Sequence, residues 1–245
     1  MILAAGLGTR LQPITEKLPK ALVPFQGKPM IYHVIEKMKS FGIKRIVVNT
    51  HHHREKIIEY FFNNDFGIEI IISDEKKEHL LTGGGIKRAA EYFGDYEHVL
   101  VHNADIFSSL DYSDLIESHL LNKSEVTLSV RNKNDDRVFC FDSDMRLTGW
   151  KNKITGEKKI SLFRDNSLEY GFTGIYSLSK KAISELPQER KFSIVDFLLE
   201  YTKSEHVIGF VDKSEYWFDL GSVEKIKNAE SYFKANSVNQ VMEEK

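Results

Sequence analysis

Gly6-Leu7-Gly8-Thr9-Arg10 follows directly on a short apolar run, residues 2–5, and is the first place in the chain where residue types and spacing could do chemistry. Glycines at the end of a buried strand let backbone N–H groups approach a phosphate or a nucleotide without Cβ obstruction. Two common phosphate loops do not fit. A P-loop closes on Gly-Lys-Ser/Thr, which is absent here, and a dinucleotide fingerprint asks for Gly or Ala where Leu11 stands. Pro13 and Pro19 also interrupt the helix that such a fingerprint opens. The segment reads instead as a loop running extended to Lys20 and carrying Arg10, Lys17 and Lys20, a basic, proline-stiffened stretch suited to a polyphosphate. A second group with chemistry is Asp105, which closes the apolar run beginning at Val99; strand ends in an open α/β sheet are where ligands bind.

The longer string Leu3-Ala-Ala-Gly-Leu-Gly-Thr-Arg-Leu-Gln-Pro-Ile-Thr-Glu-Lys-Leu-Pro-Lys-Ala-Leu-Val-Pro closely resembles the signature of nucleotidyltransferases acting on sugar 1-phosphates. The similarity extends along nearly the whole chain. Leu81-Thr82-Gly83-Gly84-Gly85-Ile86-Lys87 resembles that family's second glycine segment, which approaches the base. His102-Asn103-Ala104-Asp105 matches its strand-end motif, with Ala104 in place of the usual glycine. Phe172-Thr173-Gly174-Ile175 is similar to the sugar-facing strand, and Trp217-Phe218-Asp219-Leu220-Gly221 to the late Trp-x-Asp-x-Gly motif. The Thr-Gly-Gly-Gly-Ile form is most similar to the N-acetylmuramate-1-phosphate uridylyltransferase branch, with the mannose-1-phosphate guanylyltransferases a close second.

The resemblance implies a three-layer αβα sandwich around a mixed, mainly parallel sheet, of the nucleotide-diphospho-sugar transferase type. It implies a nucleoside triphosphate and a sugar 1-phosphate as partners, UTP and N-acetylmuramate 1-phosphate first among them, Mg²⁺ as cofactor, and pyrophosphate as product. Residue by residue, Arg10 and Lys20 take the catalytic positions, and Asp105 and Asp219 those of the metal carboxylates. Leu3, Ala4, Ala5, Gly6, Gly8 and Thr9, with Thr82, Gly83, Gly84 and Asn103, take the nucleotide-facing positions, and Asn152, Thr173 and Gly174 the sugar-facing ones. These residue types suit the reaction. Both reactants are anions, so charge neutralisation and in-line positioning are the main tasks, and an ionised phosphate monoester needs no protein nucleophile. Mg²⁺ takes oxygen ligands, usually one or two carboxylates plus phosphates and waters. Two rivals share part of this pattern: a non-catalytic nucleotide-binding relative, which needs no full set of Arg10, Lys20, Asp105 and Asp219, and cytidylyl transfer to a non-sugar phosphate, which shares the first motif.

The elements that must position these residues alternate. Residues 29–41 carry Ile31, Val34, Ile35 and Met38 at helical spacing, with Pro29 at the start and Gly42 at the stop. Strands are expected at 44–49, 68–72 and 99–101 and helices at 54–62, 86–93 and 111–121, the alternation of a mostly parallel sheet with right-handed crossovers. The second half is strand-rich at 126–130, 138–141, 147–150 and 170–178, and closes with helices at 179–186, 194–202 and 222–234, Ser222 being the N-cap of the last. No Pro-, Gly- or Ser-rich linker breaks the chain, so one domain over 1–245 is expected, its nucleotide-binding half about 1–110 and its sugar-binding half about 111–245.

Composition bounds the rest. Thirty-four basic against 36 acidic side chains leave a net charge of −2, no basic field for a nucleic acid. No apolar run approaches a membrane span of ~18 residues, and a single cysteine, Cys140, excludes an intramolecular disulfide. A cytoplasmic location is expected, and no protein partner can be inferred. Three features carry no site in this reading. His51-His52-His53 lacks the spaced pair of a metal site, Cys140 reads as a small core residue, and Lys225 and Lys227 read as a solvated helix face.

Overall fold

The computed structural model describes residues 1–75, 78–133, 135–163 and 167–243. Strand β1 (Ile2–Leu3) leads into the signature loop, which is coiled through three single 3-10 turns at Thr9–Leu11, Ile14–Glu16 and Lys20–Leu22. The loop is therefore not extended as its prolines suggest: backbone bonds from Leu11 to Gly8 and from Leu22 to Pro19 close it into turns. A hairpin of β2 (Pro24–Phe25) and β3 (Lys28–Pro29) then enters α1 (Met30–Ser40), followed by β4 (Arg45–Thr50), α2 (Arg54–Asn63), β5 (Glu69–Asp74) and α3 (Leu81–Ala89). Next come β6 (His98–Asn103), β7 (Ile106–Ser108), α4 (Tyr112–Leu121), β8 (Val126–Arg131), β9 (Arg137–Phe141), β10 (Leu147–Asn152), β11 (Lys158–Ile160) and the long β12 (Leu168–Ser179). The chain ends through α5 (Lys180–Ser184), α6 (Ile194–Tyr201), β13 (Val207–Val211), β14 (Trp217–Asp219) and α7 (Val223–Glu243). Ser222 Oγ accepts the Lys225 N–H at 3.3 Å, as an N-cap should.

The central sheet runs β5-β4-β1-β6-β12-β8-β13. β5, β4, β1 and β6 are parallel, β8 and β13 are parallel, and β12 alone runs against its neighbours, so the sheet is mixed and mainly parallel. The far end of β12 leaves it to pair with β9, which continues into β10 and β11 as an antiparallel extension. Alternation along the strands divides the interior. Val47, Val99, Val101, Tyr176 and Leu178 face a core shared with Ile86, Ala89, Phe197 and Leu198 of α3 and α6. Ile46, Val48 and Ile175 face the other, with Ile31, Val34, Ile35 and Met38 of α1, Ile57 of α2 and Leu115 of α4. Helices thus cover both faces, giving the three-layer α/β fold. A third, smaller core lies off the sheet. Leu11, Val23 and Phe25 of the signature region pack there against Leu220, Ile226 and Ala229, seating the loop on α7.

Helix α3 starts at Leu81, not at 86, and so contains all three glycines. Glycine costs helix stability, but here it permits contact. A Cβ on Gly83 would lie 2.3 Å from the Phe192 ring, and one on Gly84 would lie 2.2 Å from the Arg190 carbonyl oxygen. Among the described residues, no helix is long and apolar enough to cross a membrane.

Candidate active site

The signature loop folds back on itself at Gly8, which adopts φ +64°; a Cβ there would meet Thr15 Cγ2 at 2.9 Å and Lys20 Cβ at 3.1 Å. The Thr15 hydroxyl and the Leu11 N–H both donate to the Gly8 carbonyl, each at 2.8 Å. His52 and His53 also bond the Thr15 carbonyl, at 3.4 and 3.2 Å, so two members of the histidine triplet buttress this loop from outside. Arg10 and Lys20, on the first and third of these turns, are thereby carried to one side.

The last strand closes the site. β14 pairs antiparallel with β7, setting Asp219 opposite Ile106, and the Leu220 N–H donates to the Asp105 carbonyl at 2.8 Å. Two aspartates 114 positions apart are thus brought to one place. Lys20 Nζ pairs with Asp105 Oδ2. Gly221 marks the centre: a methyl group there would lie 2.7 Å from Asp219 Oδ1, 2.8 Å from Arg10 Nη2 and 3.3 Å from Lys20 Nζ. All four expected charged residues therefore converge. The side chains of Lys20, Asp105 and Asp219 are 18%, 15% and 19% exposed, shielded enough to strengthen their fields and open enough to meet a solute.

Burial alone would push the Asp219 carboxyl up, but the Lys225 ammonium, the Gly221 N–H at 2.8 Å and the nearby Lys20 outweigh it and hold it below its ordinary value. Lys225, an exposed lysine of α7, also reaches Asp219 Oδ2 directly. Lys133 is a second cation that sequence spacing does not flag. Its Nζ lies 3.6 Å from the centre of the Trp217 ring and donates to the Phe172 carbonyl at 3.0 Å. Burial lowers its pKa, against the pull of Asp135 and Asp219.

Asp105 and Asp219 offer oxygen donors only. Among the described residues no group of three His, Cys, Asp or Glu side chains could hold a metal by itself. Two carboxylates beside ammonium groups suit a hard cation that fills its shell with water and substrate phosphate oxygens.

The other expected residues separate. Ala4 is held through its N–H, which donates to Asn49 Oδ1 at 2.8 Å. Asn103 lies against Gly174, where a Cβ would come within 2.7 Å of Asn103 Nδ2; Gly174 has φ +82°. The Gly83 and Gly84 N–H groups both donate to the Phe192 carbonyl, at 3.1 and 3.3 Å, and the Thr82 hydroxyl accepts the Ile194 N–H at 3.1 Å. These polar groups are thus committed to α3–α6 packing. The side chains of two sugar-facing expectations have internal partners. Thr173 is fully buried, its hydroxyl donating to the Ser129 carbonyl at 2.9 Å and its carbonyl accepting the Trp217 Nε1–H at 2.9 Å. The Asn152 side chain is a turn former, its Oδ1 accepting the Ile154 and Thr155 N–H groups at 3.0 and 3.2 Å. Cys140 is buried, and burial raises its thiol pKa.

With this geometry in view, the comparisons decide the family. The nucleotidyl transferase family model matches residues 1–236. The chain belongs to the nucleotidyl transferase family. It is 34% identical over 223 residues, 90% of this chain and 93% of that protein, to a D-glycero-alpha-D-manno-heptose 1-phosphate guanylyltransferase of Campylobacter jejuni. It is 28% identical to a mannose-1-phosphate guanylyltransferase of Mycobacterium tuberculosis, over 91% of this chain and 61% of that protein. The crystal structure of HddC from Yersinia pseudotuberculosis superposes with a TM-score of 0.78 at 30% identity, covering 95% of this chain and 97% of that one. HddC has also been solved in complex with GMP-PN. As a nucleotidyltransferase, the protein is an enzyme of a family that generally uses a divalent metal, and the paired carboxylates fit that use.

Proposed function

We propose that the enzyme transfers a nucleotidyl group from a nucleoside triphosphate to a sugar 1-phosphate, with Mg²⁺ held by Asp105 and Asp219. The observation that carries this reading is the convergence of Arg10, Lys20 and Asp219 on Gly221, with Asp105 paired to Lys20. In the reaction an oxygen of the sugar phosphate bonds to the α-phosphorus. The bond from that phosphorus to the bridging oxygen breaks, and pyrophosphate leaves with the electron pair. Lys20 neutralises the α-phosphate and the incoming phosphate as a compact charge, and Arg10 takes the leaving pyrophosphate with its forked guanidinium. When bound, Mg²⁺ adds positive charge at the triphosphate oxygens. Residues 3–9, with Thr82, Gly83, Gly84 and Asn103, make up the nucleotide-facing side, while Gly174 borders the sugar side together with Lys133 and Trp217.

The relatives' names favour a guanylyl group and a heptose or mannose 1-phosphate. Thr82-Gly83-Gly84-Gly85-Ile86 favours UTP with N-acetylmuramate 1-phosphate as the second reading. Pyrophosphate release across a grid of the four triphosphates and these three sugar phosphates, with Mg²⁺, separates them. GTP with heptose or mannose 1-phosphate is expected to lead. Folded protein that releases pyrophosphate with no pair overturns the proposal.

A further inference from the structure

Glu75 is a buried carboxylate, 4% exposed, and among the described residues no Lys or Arg pairs with it. Burying an unpaired charge is costly, so its two oxygens should be needed as acceptors, and both are used. Oε1 accepts the Asn49 Nδ2–H at 2.7 Å, and Oε2 accepts the Leu80 N–H at 2.8 Å. Asn49, 2% exposed, uses its own Oδ1 to accept the Ala4 N–H at 2.8 Å. The result is one relay, Ala4 to Asn49 to Glu75 to Leu80, joining the signature loop to the segment that opens α3. It is tightly enclosed: a Cβ on Gly85 would lie 2.6 Å from Asn49 Nδ2 and 2.9 Å from Glu75 Oε1. At its far end Leu81 adopts φ +63°, a left-handed conformation that a branched aliphatic residue holds only where its surroundings impose it.

We propose that Asn49 and Glu75 are positioning residues that set the spacing between residues 3–8 and 80–84, and that this spacing governs how tightly and how selectively the base of the triphosphate is held. The inference rests on the nucleotide-binding reading above. Neither side chain touches the reacting atoms. In Glu75→Gln the new side chain has nearly the shape of the old one but can accept at one oxygen only, so it turns an NH₂ toward either Asn49 or Leu80, donor against donor. Adding Asn49→Asp repairs this: the new carboxylate accepts both from the Ala4 N–H and from the introduced amide, whose oxygen still accepts from Leu80.

The experiment compares wild type, Glu75→Gln, Asn49→Asp and the double variant by melting temperature, by equilibrium titration with GTP and with UTP, and by steady-state turnover. Loss of one buried hydrogen bond with its donors left opposed is expected to weaken GTP binding in Glu75→Gln by ~10-fold or more and to raise KM in step. The GTP-to-UTP preference narrows, while kcat stays within about threefold. Asn49→Asp, which sets two carboxylates face to face, is worse. The double variant returns to within about threefold of wild type, a coupling that general loosening of the fold does not produce. Wild-type GTP affinity and base preference in Glu75→Gln overturn the relay, and so does a double variant no better than the worse single. Absence of pyrophosphate release from wild-type enzyme sinks the functional reading instead, and the titrations still test the relay.

Discussion

Leu220 gives its backbone N–H to the carbonyl of Asp105, and through that bond the end of the chain completes a site begun at its start. The residue before Leu220 is Asp219, and the side chain of Asp105 already holds Lys20. Main-chain pairing, rather than any direct attraction between the two aspartates, therefore brings like charges together. Lys20 and Lys225 then hold them as a pair of ion pairs.

Asp105→Asn and Asp219→Asn should each lower kcat by roughly 10²-fold or more, because each removes a carboxylate from the proposed ligand set of the cation. Chelation of divalent metal should abolish wild-type turnover reversibly. Coupled pyrophosphate release with a Mg²⁺ titration measures both effects, and near-wild-type rates in Asp105→Asn would reject the metal assignment.

Gly221→Ala tests the convergence without removing a charge. The added methyl falls within 2.7–3.3 Å of Asp219, Arg10 and Lys20, whose polar ends must then spread. Turnover should drop at least ~10-fold from misplacement alone, with little change in melting temperature. Unimpaired turnover would mean that the three groups do not act together.

Gly84→Ala should harm stability. Its Cβ would meet the Arg190 backbone at 2.2 Å, and a backbone neighbour cannot yield as a side-chain tip can. Overpacking of this kind costs about 1–3 kcal/mol. Gly6→Ala, which meets nothing within 4 Å, is the control. Equal urea midpoints for the two variants would contradict this account.

Acid should destabilise the fold through His119. It is fully buried, bonded at Nδ1 to Thr127 and Ser124 and at Nε2 to His98, and burial, with His98 beside it, pushes its pKa down to about 4. The unfolded chain binds this proton near pH 6.5 and the folded one does not, so the stability present above pH 6.5 is lost as pH falls from 6.5 toward 4. The contribution is about 1–2 kcal/mol between pH 7 and pH 5. His102, which burial lowers to about 3, acts in the same direction. Denaturant unfolding at both pH values should show a shallower dependence in His119→Gln than in wild type; identical slopes would refute the assignment.

Much of this is legible in the sequence. Strand-helix alternation places β4, β5, β6, α1, α2 and α4 because each buries a stripe or run visible in its own residues. Arg10, Lys20, Asp105 and Asp219 sit in motifs long enough to mark them. Asn49, Glu75, Lys133 and Lys225 could not be found in this way. Each acts through a partner remote in sequence or across a change of element, and no period of 2 or 3.6 connects Asn49 to Ala4 or Lys133 to Trp217. The glycines of α3 show the same limit from the other side. Their run suggests room for a ligand, but the atoms that require the missing side chains belong to Arg190 and Phe192, more than a hundred positions away. Thr173 lies in a matching motif, yet its hydroxyl bonds to Ser129, and the Asn152 side chain bonds to a local turn.

The β7–β14 ribbon also sets an order in time. As the chain leaves the ribosome, Arg10, Lys20 and Asp105 emerge early, and the parallel strands β1, β4, β5 and β6 can pair long before β14 exists. The second carboxylate arrives only with residues 217–219, and the core that seats the signature loop waits for Ile226 and Ala229 of α7. Pairings this distant form late in folding. A nascent chain can therefore gather Arg10, Lys20 and Asp105 without the full charge set, which waits for residues 217–229.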